Sequence, residues 1–258
     1  MKKHIEWSVA LAAIAGSACA QNLTNGPSFE VATIKPGVPD SPGKVIRPNH
    51  RNFSTLNTTL FDLITYAYCL HPRQIAGAPG WAETDKYDLA GIPDTPGTPN
   101  PAEVKVMVQK LLADRFGLKF HREKKELSVF TITVGKTGSK LTLSEGAGNP
   151  SLLFKALGTL VVKNATMADF AGVMQANALD RPVVNQTGLS GKFDFTLDWL
   201  SDETQFGALG LKVPPPADTD TRSNLFTAIQ EQLGLKLESA KASVDILVID
   251  HVARPSDN

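Results

Sequence analysis

Cysteine is nearly missing from this chain. Of 258 residues only Cys19 and Cys69 carry thiols, and Cys19 falls in a segment with the marks of a removable leader, so an internal disulfide is excluded and the fold stands on its apolar core. Cys69, on the apolar side of a predicted helix, reads as a buried structural thiol. Net charge is missing too. The formal balance is zero, and removing residues 1–20 takes away only Lys2, Lys3 and Glu6 among the acidic and basic side chains. That leaves no electrostatic footprint for DNA, RNA or an anionic membrane. Long hydrophobic runs are also absent. The apolar stretch from Trp7 to Ala15 falls far short of the ~20 residues that span a bilayer, which predicts no integral membrane segment in the mature chain.

What is present at the N-terminus is a secretory signal: Lys2 and Lys3, the short apolar run, then Ala18 and Ala20 in the small-residue pattern read by a signal peptidase. The expectation is a mature chain beginning at Gln21, exported to the periplasm or beyond. The rest, at 42% hydrophobic and 20% charged, has the composition of an ordinary globular protein.

The chain repeats itself. Asn57, Thr59 and Asp62 recur as Asn164, Thr166 and Asp169, and Tyr87-Asp88 returns as Phe193-Asp194. Further on, GLKFHREKKELSVFTI at 117–132 matches GLKLESAKASVDILVI at 234–249. Thr59-x-x-Asp62 and Thr166-x-x-Asp169 have the form of capping boxes. The helices that follow carry Leu60, Ile64, Ala67 and Tyr68, or Met167, Phe170, Val173 and Met174, at the spacing of one apolar face. Phe193, Phe195 and Leu197 alternate with polar residues as a strand does. Asn100, followed by Pro101 and Glu103, predicts a second helix ending at Gly117; Thr221 or Ser223 starts its counterpart, which ends at Gly234. Each matched closing stretch reads as a short strand, a charged turn and another strand.

These elements predict an α+β fold: a tandem duplication of a small β-α-β-β-α-β-β unit, with helices packed on small sheets and each copy burying its own core. The expected divisions are a signal peptide at 1–20, an N-terminal extension at 21–51 with an edge strand in FEVATIKP, a first repeat at 52–142, a linker at 143–158 and a second repeat at 159–258.

The second half, from LVVKNATMADF to LFTAIQEQLGLKLESAKASVDILVIDHV, resembles the short N-terminal domain of secretins and TonB-dependent transducers, which implies a small periplasmic fold of two helices against small sheets. Through FEVATIKP, GAPGWAETDKYDLAG, LLADRFGLKFHRE and RPVVNQTGLSGKFDFTLDW, the mature chain is similar to a family of exported proteins from soil acidobacteria, a domain of unknown function. Versions attached to antibiotic-sensing membrane peptidases imply a sensing or docking role outside the cytoplasm. This chain lacks the peptidase and its membrane spans.

Motifs for chemistry break down on inspection. Gly135-Lys136-Thr137 lacks the earlier glycine of a phosphate loop, since Phe130 stands in its place, and it reads as a turn. Ser190 lacks the spacing of a nucleophile elbow. His50, His71, His121 and His251 show no i, i+4 pairing on a helix, so no metal site is expected. Asp250 and His251, adjacent on a strand, leave opposite faces. Asp194 and Asp198 read as a solvated face. No catalytic residue and no cofactor is assigned. The expectation is a non-catalytic binding or docking module for an envelope protein or peptide; the alternative is a hydrolytic enzyme whose site assembles only in three dimensions. The candidate binding residues are Arg73, Gln74, Trp81 and Tyr87, in or beside the irregular stretch HPRQIAGAPGW, with strand addition to a nearby sheet edge as the mode. A packing role for Trp81 between the two halves is the competing reading.

Overall fold

The computed structural model describes residues 26–38, 43–49, 52–215, 217 and 219–255; the expected leader, 1–20, lies outside them. In chain order the first elements are β1 (Phe29–Pro36), β2 (Val45–Asn49), β3 (Asn52–Thr59), α1 (Leu60–Tyr68), β4 (Ile75–Ala76), α2 (Trp81–Thr84), β5 (Lys86–Pro93), α3 (Pro101–Phe116) and β6 (Lys119–Val134). Then come β7 (Thr142–Leu143), β8 (Ser151–Ala156), β9 (Thr159–Ala165), α4 (Met167–Val173), β10 (Val183–Asn185), β11 (Phe193–Asp198), α5 (Leu225–Leu233) and β12 (Leu235–His251). The fold is mixed α and β, with several small sheets. FEVATIKP is the edge strand β1, as expected. The segment expected as a linker carries β8, which pairs with β9.

Local chemistry sets the boundaries. Thr59 and Asp62 exchange side-chain bonds to each other's backbone N–H at 3.1 and 3.0 Å, and Thr166 and Asp169 do the same at 3.1 and 2.9 Å, so α1 and α4 start where their capping boxes stand. Asn100 and Glu103 cap α3 in the same way, and α3 stops at Gly117 with φ 61°. The cap of α5 is Asn224, not Thr221 or Ser223. A cap must immediately precede the first helical residue, here Leu225, and the Asn224 carboxamide accepts the Thr227 N–H at 3.0 Å. Cys69 ends α1 in a left-handed conformation and is half-buried rather than enclosed, with the Lys105 Nζ 3.0 Å from its sulfur. Gly135 to Gly138 is a turn closed by one backbone bond, as expected of GKT in this place.

The recurring asparagines have a backbone task. Asn57 and Asn164 sit at φ 52° and 51°, a left-handed conformation that asparagine tolerates better than most residues. At these points the ladders of β3 and β9 shift register against β5 and β11. The freed N–H groups are taken by Asp88 at 2.8 Å and Asp194 at 2.7 Å. Asp194 is therefore a backbone acceptor rather than part of a merely solvated face.

Two antiparallel sheets, ordered β1-β5-β3-β2 and β7-β11-β9-β8, each back onto helices, and a third sheet, ordered β10-β6-β12-β4, joins them. That third sheet corrects the sequence reading. Neither closing stretch is a hairpin: β6 and β12 are single long strands that pair antiparallel with each other almost end to end. Their middles, charged throughout in β6 and mixed in β12, lie between two cores and meet solvent, with Lys124 2.9 Å from Asp245 and Lys241 3.8 Å from Glu126. A polar run of this kind looks like a turn in sequence, because a strand that bridges two cores needs apolar residues only at its ends.

The cores are shared as a result. Leu247 and Ile249, near the end of β12, pack with Phe53, Leu63, Leu112 and Phe116 of the first half. Phe130 and Ile132, near the end of β6, pack with Leu160, Phe170, Leu197 and Ile229 of the second. The expectation that each half closes its own core fails: each long strand starts against one core and finishes against the other.

Candidate functional site

Where the halves meet, a short turn holds β4 against β12. His71, only 5% exposed, opens the 3-10 turn Pro72–Gln74; its Nδ1 accepts the Arg73 N–H at 3.1 Å, and the Gln74 Oε1 accepts the His71 N–H at 3.0 Å. The Gln74 Nε2 then donates to the Asp245 carbonyl on β12 at 2.9 Å. The next two residues, Ile75 and Ala76, pair parallel with Leu247 and Val248. The His71 ring also hydrogen-bonds the Leu179 backbone of the second half. Burial first, and then the neighbouring Arg73 charge, push this imidazole down to about 4, against the opposing pull of Asp180. The ring is neutral at pH 7.

Of the four candidate binding residues, Arg73 and Gln74 lie at this junction. Arg73 is exposed and reaches Asp180 at 3.5 Å, while Asp180 is held more closely by Arg181 at 2.9 Å. Arg181 lowers the Asp180 carboxyl below its ordinary range, and its own guanidinium lies 4.7 Å over the Phe130 ring. Gln74 is buried by its bonds to the turn and to β12. Trp81, the first residue of α2, is half-buried against the first core, with Arg254 stacked 5.2 Å from its ring centre and bonded to Asp85 at 2.8 Å. Tyr87 is buried on β5, edge-on to Phe116 at 5.5 Å. Arg73 and Gln74 thus adjoin β12, whereas Trp81 and Tyr87 belong to the packing of the first half.

The third sheet leaves much backbone without a strand partner on its outer sides. β10 pairs with β6 only at Phe130–Ile132, and β4 pairs with β12 only at Leu247 and Val248. Among the described residues no other strand lies beyond the remaining length of either. The two open edges differ in chemistry. Along β6 the run His121-Arg122-Glu123-Lys124-Lys125-Glu126 is charged or ionisable at every position, which blunts pairing with another chain. Along β12 the matched run is Glu238-Ser239-Ala240-Lys241-Ala242-Ser243, small and mostly neutral. Residues of this size leave room for a strand laid alongside.

One cluster is completed only by the fold. The register of β6 against β12 brings the His121 Nδ1 to 2.8 Å from Asp250, and the Nε2 lies 3.0 Å from Glu123. The bonds to Glu123 and then Asp250 raise the imidazole above its ordinary value. Both ring nitrogens donate to carboxylates in the charged form, so neither is available as a base there. All three side chains are roughly half-exposed. The i, i+2 relation of His121 and Glu123 was readable, but Asp250 could be added only once the pairing of two distant strands was known. No group of three or more metal-ligating side chains suited to an ion occurs among the described residues, and no described helix is long and apolar enough to cross a membrane.

Residues 61–252 match the family described as protein of unknown function (DUF3738). No curated protein and no solved structure matches the chain.

Proposed function

We propose that this chain, which belongs to the DUF3738 family of proteins of unknown function, is an exported, non-catalytic docking module of the cell envelope. It takes an extended segment of a protein or peptide partner as an added strand on the outer edge of β12. The observation that carries this reading is the open, small-residue edge from Ser239 to Val244, beside a β4 that covers only Leu247 and Val248. Main-chain hydrogen bonds supply affinity in this mode, and side chains flanking the added strand supply selectivity. Arg73, exposed in the middle of the covering turn, is the charged residue nearest in sequence to β4. Trp81 and Tyr87 support the frame.

We also infer that the fold arose as a tandem duplication, in the pattern β-α-β-β-α-β, with one long closing strand in each copy. The like strand orders of the two outer sheets, the paired capping boxes and the paired left-handed asparagines support this. So does the ladder, whose Glu126↔Ser243 pair joins positions that are equivalent in the sequence repeat. In this reading the secretin and TonB short-domain resemblance extends to an interlocked pair, whose two β-edges have diverged into one guarded and one open.

The test is Ser239→Arg with Ser243→Lys, which restores a charged guard at exposed positions. Ser239 lies opposite Phe130 and Ser243 opposite Glu126, so the pair is expected to fold normally. It is expected to lose the partner that the mature chain retains from its own envelope fraction. Unchanged retention by a folded variant would remove β12 as the docking edge.

A further inference from the structure

The turn that covers the end of the β12 edge is fastened by an imidazole that works only when neutral. His71 Nδ1 accepts the Arg73 N–H, so that nitrogen must carry a lone pair, and the other nitrogen donates to the Leu179 carbonyl across the junction. Adding a proton turns the accepting nitrogen into a donor that faces another N–H. It also places a positive charge in a buried site beside Arg73. Gln74 depends on the same turn, because its Oε1 holds the His71 N–H while its Nε2 holds Asp245 of β12.

We propose that His71 is an acid-released clip: protonation of its ring frees Pro72–Ala76 from β12 and from the Leu179 carbonyl, lengthening the open edge toward Leu247 and Val248. The consequence for docking rests on the strand-addition reading above; the opening itself does not. The charged groups acting on the ring are Arg73 on its own turn and Asp180 from the second half. Asp180 is neutralised in large part by Arg181. On the β12 side Asp245 receives Gln74 through its carbonyl and pairs its carboxylate with Lys124. Two contacts oppose release: the attraction of Asp180, which is shared with two arginines, and the Leu179 carbonyl, which accepts from the charged ring as well as from the neutral one; burial, Arg73 and the reversed Nδ1 contact outweigh them.

The depressed imidazole sets the scale. With the ring at about 4 when clipped and 6.5 when released, the ratio of open to closed turn rises about 20-fold between pH 7 and pH 5. Amide exchange of residues 73–76, 179–181 and 183, corrected for intrinsic rates, should show that loss of protection; Pro72 and Pro182 have no amide hydrogen. His71→Gln keeps an acceptor and a donor but cannot take the proton, and its protection should not change over the same range. If this variant does not fold, the wild-type Ile75 and Leu179 amide resonances, followed against pH, should move with the His71 ring. Constant wild-type protection, an equal loss in His71→Gln, or amides that do not follow the ring would overturn the clip. Strand binding that is the same at both pH values, with no opening, sinks the clip and leaves the docking edge standing. Opening without partner capture at either pH does the reverse.

Discussion

Leu247 belongs to the second half by sequence and to the first half by packing. Its side chain is fully buried among Leu63, Leu112 and Phe116, so Leu247→Ala removes three buried carbon atoms and leaves a cavity in a core built mostly from residues 53–118. Loss of a buried leucine in such a setting costs about 2–5 kcal/mol. At roughly 2–4 °C per kcal/mol for a chain of this size, that is a fall in melting temperature of roughly 4–20 °C. Trp81 and Trp199 separate the outcomes. Trp81 sits against the first core, and Trp199 is enclosed in the second. In single-tryptophan versions, made by replacing the other tryptophans with phenylalanine, Leu247→Ala should lower the urea midpoint reported by Trp81 and that reported by Trp199 by the same amount, each relative to its own background. If the halves closed their own cores, the substitution would lower the Trp199 midpoint and leave Trp81 where it was. That result would refute the sharing of cores through β6 and β12. The mirror change, Phe130→Ala on β6, should also move both probes.

Three further outcomes are expected. Because His71 stays at about 4 in the fold against 6.5 when unfolded, the unfolded chain takes up the proton first; stability is full above pH 6.5 and falls by about 3 kcal/mol as pH drops toward 4. The urea midpoint at pH 7 and pH 5 checks the direction, and His71→Gln should flatten this part of the profile. Asn164→Ala forces a left-handed backbone at φ 51° on a residue that resists it, with an expected loss of about 1–2 kcal/mol, and Asn164→Gly should recover part of it. Calorimetry of the two variants decides whether the conformation or the side chain matters. Arg254→Ala removes both the Asp85 bond and the stack on Trp81; it should shift Trp81 emission and lower stability by about 0.5–1 kcal/mol. Emission identical to wild type would show that Arg254 does not cover the ring.

What could be read from sequence was local. Helix starts at Thr59, Asn100 and Thr166, helix ends at Gly117 and Gly234, and the edge strand from Phe29 each depend on residues within a turn of the feature itself. The recurring Asn57 and Asn164 were visible as a repeat, but their purpose needed the third dimension, since a left-handed residue is explained by the aspartate on the neighbouring strand. The long strands were misread because HREKKE has no apolar alternation, and alternation disappears wherever a ribbon meets water on its exposed stretch. Exchange of strand ends between halves is invisible in sequence: Leu247 would be apolar whether it entered its own core or the other one. The same limit hid Asp250 from His121 and dispersed the four candidate binding residues. Trp81 and Tyr87 are large and aromatic because they pack, and composition alone does not separate packing from contact.

The most direct test of the proposed docking edge is amide exchange along β12 in the protein alone and with a partner captured from the envelope fraction. Strand addition predicts slowed exchange concentrated at alternate residues between Ser239 and Val244, since every second N–H of a strand points outward, with no comparable change along His121–Glu126 of β6. Protection confined to the first outer sheet, or spread evenly over both long strands, would contradict docking at β12.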